Sequence, residues 1–515
     1  MKNRRFLLLI ISFLILTSCL FTNCKDREGI IKGRVISEIQ KGLKDVIISD
    51  GVNFALTNKE GRYEIEINDS SRFVFIVTPK DYIADYSSGV PAFYQRITKD
   101  KKVYDFILKA LSNGLKGNNA IQKISLNNNS ISADPVSDDS LNKNSSGDDS
   151  LSNNSSNDDS VALSSEVSLV ATADIHLKTM NHLNNFVSHV IPDMQKTADK
   201  KMRSGRAVIG ISLGDIVWDK YKLYPQYVES MKLLSFPNYG VIGNHDHMMS
   251  RNTDRSSIVD YEKYFGPNYY AFHVGNALCV VLDNILYKGK RSYKEDIDSL
   301  QIDWFSRLMK LIPKGSNVII ATHSPFLFQT GTRLKCTDTI LNILKPFKST
   351  FISGHMHLNS NEELAPNVMQ HNIAAICGTW WLSHINRDGT PWGYEVFDIS
   401  DSITSYYKCI GKDENYQFEV YKIGSDKKNP KSFVAKVWNW DKYWKVLWYE
   451  DGIYMGEMTR FNMKDTHYSV KHGRLTLHAS TAKFFFKAIP HNKNSVIEVE
   501  VKDGRGIIYP RQKVN

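Results

Sequence analysis

The sequence predicts an α/β protein in which a central α/β domain lies between two β-rich parts. Residues 167–365 alternate short apolar runs with amphipathic stretches, which is the pattern of βα units. Residues 29–110 and 371–515 instead carry short strand-like runs separated by polar turns, which is typical of β-sheets. The length of 515 residues leaves room for about three domains at roughly 100–200 residues each, so each part can be a folded unit.

The composition excludes several classes of protein. Hydrophobic residues make up 42% and charged residues 23%, as in ordinary globular domains, and only 6 residues are Cys, which excludes a disulfide-dense scaffold. Cys279 and Cys377 lie in apolar runs and are predicted to be buried free thiols. The net charge of +10 favours an anionic partner, but no basic stripe interleaved with aromatic residues is evident. Nucleic acid is therefore a possible partner but not the favoured one.

Residues 1–18 are interpreted as a lipoprotein signal peptide. Basic residues at the start precede the apolar run 6–15, which is too short to span a bilayer comfortably. The run leads into Leu-Thr-Ser-Cys, which resembles a bacterial lipobox, in which the cysteine is lipidated and everything before it is removed. This resemblance implies lipidation of Cys19, a tether over 19–28 and a protein anchored to a membrane of the bacterial cell envelope. The residue after Cys19 is not Asp, which resembles the pattern of outer-membrane lipoproteins.

Residues 29–118 are predicted to form a small β-sandwich. Short β-rich runs at 31–35 and 46–51 are followed by a turn and an alternating strand over 57–67. The order of these runs resembles transthyretin-like and carboxypeptidase-regulatory-like sandwiches. The resemblance implies a spacer or a binding platform, and no catalytic set is visible in it.

Residues 119–166 are predicted to be a disordered linker. From Asp134 to Ser160, 21 of 27 residues are Ser, Asn or Asp, and no hydrophobic core can be built from such a segment. We expect this linker to be an acidic spacer between the sandwich and the central domain. The alternative is a glycosylated segment, since its three Asp-Ser-Leu/Val repeats resemble the O-glycosylation acceptor pattern of some Gram-negative surface proteins.

Polar signatures follow the predicted strands of the central part. Because open α/β folds place ligand sites at the carboxyl ends of their strands, these side chains are expected to converge. Asp, Asn and His without a thiolate suit divalent ions such as Mn, Fe, Zn or Co, and about seven ligands suit two ions that share a carboxylate. The Asp-x-His and His-x-His spacings are expected to put both side chains on one face of an extended segment. In chain order the signatures are Asp174-Ile175-His176, Gly214-Asp215, Gly243-Asn244-His245-Asp246, His323 and Gly354-His355-Met356-His357.

This ordered set resembles the calcineurin-like metallophosphoesterase family over roughly residues 167–365. The flanking parts are similar as well, through residues 378–381 and 388–394 on the C-terminal side. The resemblance implies a four-layer αββα metallophosphoesterase domain over 167–370 and a mostly-β C-terminal domain over 371–515. It also implies two divalent metal ions and hydrolysis of phosphate mono- or diesters by a hydroxide that bridges them.

The family pattern assigns a role to each residue of the signatures. His245 is expected beside the phosphate, and Asp246 is expected to orient it. Asp215 is expected to bridge the two ions. The remaining ligands form two sets: Asp174, His176 and His357 for one ion, and Asn244, His323 and His355 for the other.

Residues near a Trp pair are the candidates for binding substrate. Trp380 and Trp381 lie in a segment that either lines the pocket or packs between domains, and His384 and Arg387 follow it. The leading hypothesis is a lipid-anchored hydrolase of extracytoplasmic phosphoesters. The alternatives are a secreted nuclease and a non-catalytic surface-binding lipoprotein.

Overall fold

The computed structural model of the chain describes residues 29–111, 166–473 and 475–514. The predicted signal peptide 1–18, the lipidation site Cys19, the tether 19–28 and the linker up to residue 165 lie outside the described residues. In the described part of the chain, no helix is long and apolar enough to cross a membrane. Cys279, Cys336, Cys377 and Cys409 are buried and free, which confirms the prediction for Cys279 and Cys377.

The N-terminal part is a sandwich of two four-stranded sheets, as predicted. Its strands are Ile30–Ser37 (β1), Ile47–Ser49 (β2), Phe54–Leu56 (β3), Arg62–Glu66 (β4), Phe73–Ile76 (β5), Tyr82–Ala84 (β6), Tyr94–Arg96 (β7) and Phe106–Ala110 (β8). One sheet has the order β4-β1-β8-β6 and the other β3-β2-β5-β7. In β4 only Tyr63 and Ile65 are buried, so the alternating sequence turns one face to the core.

The central part is built on two larger sheets. The strands of the first half are Val167–Thr172 (β9), Ala207–Leu213 (β10), Asn238–Val241 (β11), Tyr270–Val274 (β12), Ala277–Val281 (β13), Ile285–Gly289 (β14) and Ser292–Glu295 (β15). Those of the second half are Asn317–Ala321 (β16), Lys348–Ser353 (β17), Ser360–Ala365 (β18), Val368–Asn372 (β19), Gly393–Ile399 (β20) and Ile403–Cys409 (β21). The first sheet has the order β11-β10-β9-β20-β21, and the second has the order β12-β13-β16-β17-β19-β18.

Helices cover the outer faces of these sheets. They are Met180–Asn185 (α1), Ile191–Arg203 (α2), Tyr224–Met231 (α3), Asp254–Ser257 (α4), Val259–Phe265 (α5), Ser299–Lys310 (α6) and Thr337–Leu344 (α7), with a π-helical turn at Phe186–Val190 and a 3-10 turn at Tyr221–Leu223. Val170 and Val208 pack with Met194 of α2, whereas the adjacent Leu169 and Ile209 belong to the core shared with the second sheet. Both faces of β9 and β10 are therefore buried, which explains their uninterrupted apolar sequences and confirms the four-layer fold.

Strand β20, which lies in the part predicted to be C-terminal, joins the first sheet of the central part. Strands β20 and β21 were expected in a separate domain that starts at residue 371, but β20 pairs antiparallel with β9 and completes the first sheet. The sequence of β20 is aromatic and β-rich like the residues after it, so its local pattern carries no sign of its partner. Residues 393–409 therefore belong to the central sandwich.

The remaining C-terminal residues are mostly β, as predicted. The strands are Glu419–Tyr421 (β22), Phe433–Lys436 (β23), Lys445–Glu450 (β24), Ile453–Glu457 (β25), Thr459–Lys464 (β26), Val470–His472 (β27), Leu475–Leu477 (β28), Thr481–Ala488 (β29), Ile497–Lys502 (β30) and Gln512–Lys513 (β31). They form sheets of order β22-β23-β29-β26 and β25-β24-β30-β31 and a hairpin β27-β28. Phe418, Phe433, Val446 and Val499 lie in the core between the two larger sheets.

Candidate metal centre

The five polar signatures meet at one edge of the central sandwich. Parallel strands β9, β10 and β11 of one sheet and β16 and β17 of the other end there, and each is followed by one signature. Because the sheets pack face to face, the loops after these strands face one another. The convergence expected from the sequence is therefore present.

The backbone turns sharply at the candidate ligands. Five candidate ligands have φ between 52° and 70°, a region that residues other than Gly seldom adopt. They are Asp174, His176, Asp215, His355 and His357. Sparsely populated backbone conformations cluster at functional sites because the surrounding structure holds them there. The expectation that the Asp-x-His and His-x-His segments are extended is therefore wrong. Their side chains converge through left-handed residues that follow the end of a strand.

Three glycines beside the ligands are required by close packing. A Cβ on Gly214 would lie 2.5 Å from His323 Nδ1, and one on Gly354 would lie 2.6 Å from Asp174 Oδ2. A Cβ on Gly243 would overlap the carboxylate of Asp215. The Gly of each signature thus lets the loop backbone approach a candidate ligand from another strand.

The first ligand set is compact and buried. The ligand atoms of Asp174, His176 and His357 lie within 4.8 Å of one another. His357 Nε2 lies 3.3 Å and His176 Nε2 3.7 Å from Asp174 Oδ1, and the two imidazole nitrogens are 2.8 Å apart. These three side chains therefore point at a common position, as the sequence predicted.

Asp215 faces both ligand sets. Its Oδ2 lies 3.5 Å from His176 Nε2, while its Oδ1 lies 3.4 Å from His323 Nε2. His323 Nε2 is in turn 3.0 Å from Asn244 Oδ1 and 3.1 Å from His355 Nδ1. The structure thus brings all seven predicted ligands together, with one carboxylate between the two sets.

The donor set fits divalent cations. Asp174 Oδ1 and His176 Nδ1 are buried and have no hydrogen-bond partner among the described residues, although buried polar atoms usually have one. His323 Nδ1 lies 2.8 Å from the carbonyl of Leu213, so this nitrogen carries the proton that is donated there, and Nε2 is left free to bind a metal. Oxygen and imidazole donors without thiolate are the ligands of Mn, Fe, Zn and Co sites.

The electrostatics of the centre favour ionised carboxylates. Burial acts to raise the pKa of Asp174, but His357 and His176 outweigh it and hold this pKa well below its usual value. The pKa of Asp215 is lowered in the same way, with His323 the strongest opponent of burial. Burial lowers the pKa of His176 to about 4, so this imidazole is neutral at pH 7. The centre therefore presents two anions and the neutral imidazole of His176 to a cation. Burial acts to lower the pKa of His323, but Asp215 raises it to about 10, so a metal ion that binds this imidazole replaces its proton.

His245 lies at the open side of the centre. Its backbone N–H donates to Asp215 Oδ1 at 2.8 Å, and its Nδ1 lies 2.8 Å from Asp219 Oδ1. Burial acts to lower the pKa of His245, but Asp219 and Asp215 raise it above the usual value. The imidazole is thus held in place and favoured in its protonated form, as a proton donor requires.

The role expected for Asp246 needs a correction. Its carboxylate accepts hydrogen bonds from the backbone N–H groups of Gly243 and Ile216 at 3.0 and 3.2 Å and from the Tyr224 hydroxyl at 3.0 Å. Consecutive side chains in this tight turn point in different directions, so Asp246 fixes the loop from behind. The carboxylate that orients the His245 ring is that of Asp219, which the sequence analysis missed.

Only one of the four predicted substrate-binding residues borders the centre. The Trp380 ring centroid is 5.7 Å from that of His357. Trp381 Nε1 donates to the carbonyl of Ile175 at 2.8 Å and so braces the loop between two candidate ligands. His384 stacks on Trp392, with the two ring centroids 4.0 Å apart, and Arg387 Nε donates to the carbonyl of His478 at 3.2 Å. These contacts place His384 and Arg387 in packing between the central and C-terminal parts.

The sequence analysis also missed two groups that border the centre. Trp218 lies with its ring centroid 5.4 Å from that of His176 and 5.8 Å from that of His245. Glu295 on β15 lies with Oε1 3.6 Å from His355 Nε2. Trp218 and Asp219 follow Asp215 closely, so proximity in sequence was a usable signal for them. No such signal exists for Glu295, which reaches the centre from a hairpin.

Family models match the chain in three consecutive segments. They are the N terminal of calcineurin-like phosphoesterase over residues 29–111, calcineurin-like phosphoesterase over 167–359, and the C terminal of calcineurin-like phosphoesterase over 370–509. No curated protein shows significant similarity to the chain.

Several solved structures are similar to the chain at low identity. A dimetal phosphatase from Danio rerio is 11% identical, covers 47% of this chain and 95% of its own, and has a TM-score of 0.32. A 5′-nucleotidase from Candida albicans is 13% identical, covers 47% of this chain and 51% of its own, and has a TM-score of 0.33. A purple acid phosphatase from yellow lupin is 11% identical, with coverage of 47% and 51% and a TM-score of 0.33.

The three family models together span nearly all of the described residues, in the order that the sequence predicted. Groups of side chains suited to hold metal ions lie within the segment matched by the central model. The chain therefore belongs to the calcineurin-like phosphoesterase family and is a phosphoric ester hydrolase that depends on two divalent metal ions.

Proposed function

We propose that this protein is a lipid-anchored phosphoesterase of the bacterial cell envelope that hydrolyses extracytoplasmic phosphate mono- or diesters. The observation that carries the catalytic part is the position of Asp215 between two sets of candidate ligands, 3.5 Å from His176 and 3.4 Å from His323. A carboxylate with one oxygen toward each set is suited to bridge two ions. The lipobox-like sequence that ends at Cys19 supports the anchor and the envelope location.

The side chains divide the work of hydrolysis among them. When bound, the two divalent ions supply Lewis acidity that lowers the pKa of water and polarises phosphoryl oxygens. Asp174, His176 and His357 would hold one ion, and Asn244, His323 and His355 the other. His245, whose pKa is lowered by burial but raised overall by Asp219, would donate a proton to the oxygen of the leaving group. Water is thereby added across a phosphorus–oxygen bond, and no covalent intermediate on the protein is needed.

Turnover of chromogenic esters tests the catalytic part. The purified protein loaded with Mn, Zn or Fe is expected to hydrolyse p-nitrophenyl phosphate, bis(p-nitrophenyl) phosphate or both. Asp215→Asn is expected to lose more than about 100-fold in kcat, since it removes the charge shared by the two ligand sets. The matched control Asp303→Asn changes an exposed acid on α6 and should retain full activity. Equal turnover by Asp215→Asn and the wild type would contradict the proposal.

Lipid labelling tests the anchor separately. Cells that express the full chain are grown with an alkyne fatty acid, and label on the protein is measured in the membrane fraction. Cys24 is the other cysteine near the predicted cleavage site and serves as the control. The wild type and Cys24→Ala should carry the label, whereas Cys19→Ala should not and should leave the membrane fraction. Label that persists in Cys19→Ala would exclude this residue as the lipidation site.

A further inference from the structure

Trp218 lines two cavities near the candidate metal centre. Its ring lies close to the rings of His176 and His245, as described above. Both cavities are lined by Trp218 and by Lys178, whose Nζ lies 4.3 Å from the centroid of the Trp218 ring. A phosphoryl group held at the metal centre would therefore have two different cavities nearby, both bordered by this indole.

The first cavity is basic. It measures about 470 Å³ and is lined by Lys178, Lys220 and Arg291 together with Asp219. Asp219 is already hydrogen-bonded to His245, and none of the three cations has an acidic partner within salt-bridge distance among the residues that the structure describes. Arg291 comes from the turn between β14 and β15, so the cations reach the cavity from separate segments. Three cations against one carboxylate thus leave the cavity with a net positive charge.

The second cavity is apolar. It measures about 300 Å³ and is lined mainly by Trp218, Trp380, Leu382 and Leu477. Leu382 is 43% exposed, so an apolar side chain borders this opening without being covered. The Trp380 ring lies between this cavity and the first ligand set, with its centroid 5.7 Å from that of His357. An apolar group of a substrate would therefore be removed from water within reach of the metal centre.

We propose that the substrate is an unsymmetrical phosphodiester, with an anionic substituent that binds the basic cavity and an apolar substituent that binds the apolar one. This inference rests on the proposed function and narrows its substrate class. A phosphate monoester has one substituent and would occupy only one of the two cavities. An aromatic ring and an alkyl chain share the apolar chemistry that the second cavity recognises.

The reaction at this substrate is an ordinary hydrolysis. The oxygen of one water molecule bonds to phosphorus while the bond from phosphorus to the oxygen of one substituent breaks. The products are an alcohol or phenol and a phosphate monoester of the other substituent. The proton that the leaving oxygen takes up and those that the water releases balance through His245 and the solvent.

Three chromogenic diesters test the basic cavity. Each carries a p-nitrophenyl group, and the second substituent is phosphoethyl, methyl or choline, which are anionic, neutral and cationic. The kcat/KM of the metal-loaded wild type is expected to be about tenfold higher for the phosphoethyl diester than for the methyl diester, and lowest for the choline diester. This preference should shrink as salt is added, since exposed charges are screened.

Substitutions locate the preference in the cavity. The double variant Lys220→Gln/Arg291→Gln is expected to reduce the phosphoethyl-to-methyl ratio of kcat/KM to near 1. Lys222→Gln removes an exposed cation that does not line the cavity and should leave the ratio unchanged. An unchanged ratio in the double variant would overturn the assignment.

Two further diesters test the apolar cavity and distinguish an aromatic ring from an alkyl chain as the apolar group of the substrate. Phosphoethyl phenyl phosphate and phosphoethyl decyl phosphate are compared with phosphoethyl methyl phosphate, with turnover followed by phosphorus NMR. The kcat/KM of the phenyl or the decyl compound should exceed that of the methyl compound about tenfold, and the better of the two identifies the apolar group of the substrate. Leu382→Asn should reduce this advantage severalfold, whereas Leu300→Asn, an exposed Leu on α6, should not.

The outcomes distinguish this inference from the function on which it rests. Equal kcat/KM for the anionic, neutral and cationic diesters, or a monoester such as p-nitrophenyl phosphate as the best substrate, would overturn the unsymmetrical diester and leave a metal-dependent phosphoesterase. Absence of turnover for every ester by the metal-loaded wild type would overturn the proposed function itself.

Discussion

At the scale of single residues, His245 depends on a carboxylate that lies outside the recognised motif. Asp219 Oδ1 accepts a hydrogen bond from His245 Nδ1 at 2.8 Å. Asp219 stands four positions after Asp215 and has a left-handed backbone conformation with φ 55°. A carboxylate partner of this kind often fixes the tautomer and the orientation of a catalytic imidazole. Asp219 is thus a positioning residue for the proton donor.

Asp219→Asn is expected to lower kcat about 10- to 100-fold with little change in KM, because the amide cannot stabilise the imidazolium form of His245. The loss should be larger for an alkyl phosphate than for p-nitrophenyl phosphate, since a poor leaving group needs the proton more. Steady-state kinetics on both esters measure this difference. Asp401→Asn, an exposed acid remote from the centre, is the control, and an equal loss on both esters would contradict a role through proton donation.

Gly243 shows how closely the loops pack around the centre. Gly243→Ala would place a methyl group against the Asp215 carboxylate, which leaves the ligand or the loop to move. We expect the free energy of unfolding to fall by about 1–3 kcal/mol and the metal content to drop below two ions per chain. Denaturant unfolding and metal analysis measure the two effects. Gly331→Ala meets no atom within 4 Å and strains only the backbone, so it should keep its metal.

At the scale of secondary-structure elements, the β14–β15 hairpin completes the centre from outside the five signatures. Glu295 on β15 lies 3.6 Å from His355 Nε2, while His355 Nδ1 faces His323. A carboxylate behind a metal-binding imidazole fixes its orientation and raises its basicity. The hairpin therefore links the second ligand set to the turn that carries Arg291.

Glu295→Gln is expected to weaken the binding of one of the two ions about 10- to 100-fold and to leave the other nearly unchanged. Titration of the metal-free variant with Mn or Zn should then show two separate binding steps, one for each ion. In the wild type the affinities for the two ions should lie closer together. Glu229→Gln alters an exposed acid on α3 and serves as the control. An unchanged titration curve for Glu295→Gln would rule out its contact with His355 as a support of the metal.

Much of the fold could be predicted from sequence because its information is local. Strands β10 and β16 coincide with short apolar runs of the sequence, and the ligands that follow them lie where parallel strands end. Contacts between distant segments could not be predicted in this way. No local sequence pattern records which segments meet in space. This holds for the pairing of β20 with β9, for the contact of Glu295 with His355, and for the contact of His245 with Asp219 in place of Asp246.

At the scale of the whole molecule, the metal ions are expected to stabilise the fold as well as to support hydrolysis. The candidate ligands come from five loops on two sheets, so an ion that binds them links both sheets of the central sandwich. Asp174 and Asp215 are buried and ionised, and a bound cation offsets their mutual repulsion. Ligands that bind only the folded state stabilise it by mass action.

Removal of the ions with EDTA is expected to abolish turnover and to lower the free energy of unfolding. Compared with the protein in the presence of free metal at about 100 times its Kd, the free energy of unfolding should be lower by about 2.7 kcal/mol or more. Thermal unfolding with and without Mn measures it, and restored activity on addition of Mn or Zn shows that the loss is reversible. Asp215→Asn should show a smaller stabilisation by metal than the wild type. A melting curve that EDTA leaves unchanged would contradict a structural contribution of the ions.

The N-terminal sandwich is attached to the central part through buried polar contacts. Trp304 Nε1 of α6 donates to Ser49 Oγ at 3.0 Å, and the Tyr269 hydroxyl donates to the carbonyl of Gly51 at 2.8 Å. Residues of both parts lie in one hydrophobic core. The sandwich is therefore packed against the enzyme rather than held only by its linker.

The pairing of β20 with β9 has a consequence for biosynthesis. A ribosome delivers the chain from its amino end, so β9, β10 and β11 emerge well before Gly393–Ile399 can join them. Until then the edge of β9, the strand that leads into Asp174, offers unpaired backbone groups to any other nascent chain. Completion of the first sheet is thus a late event, and a product that terminates before β20 would be directed toward aggregation or proteolytic quality control.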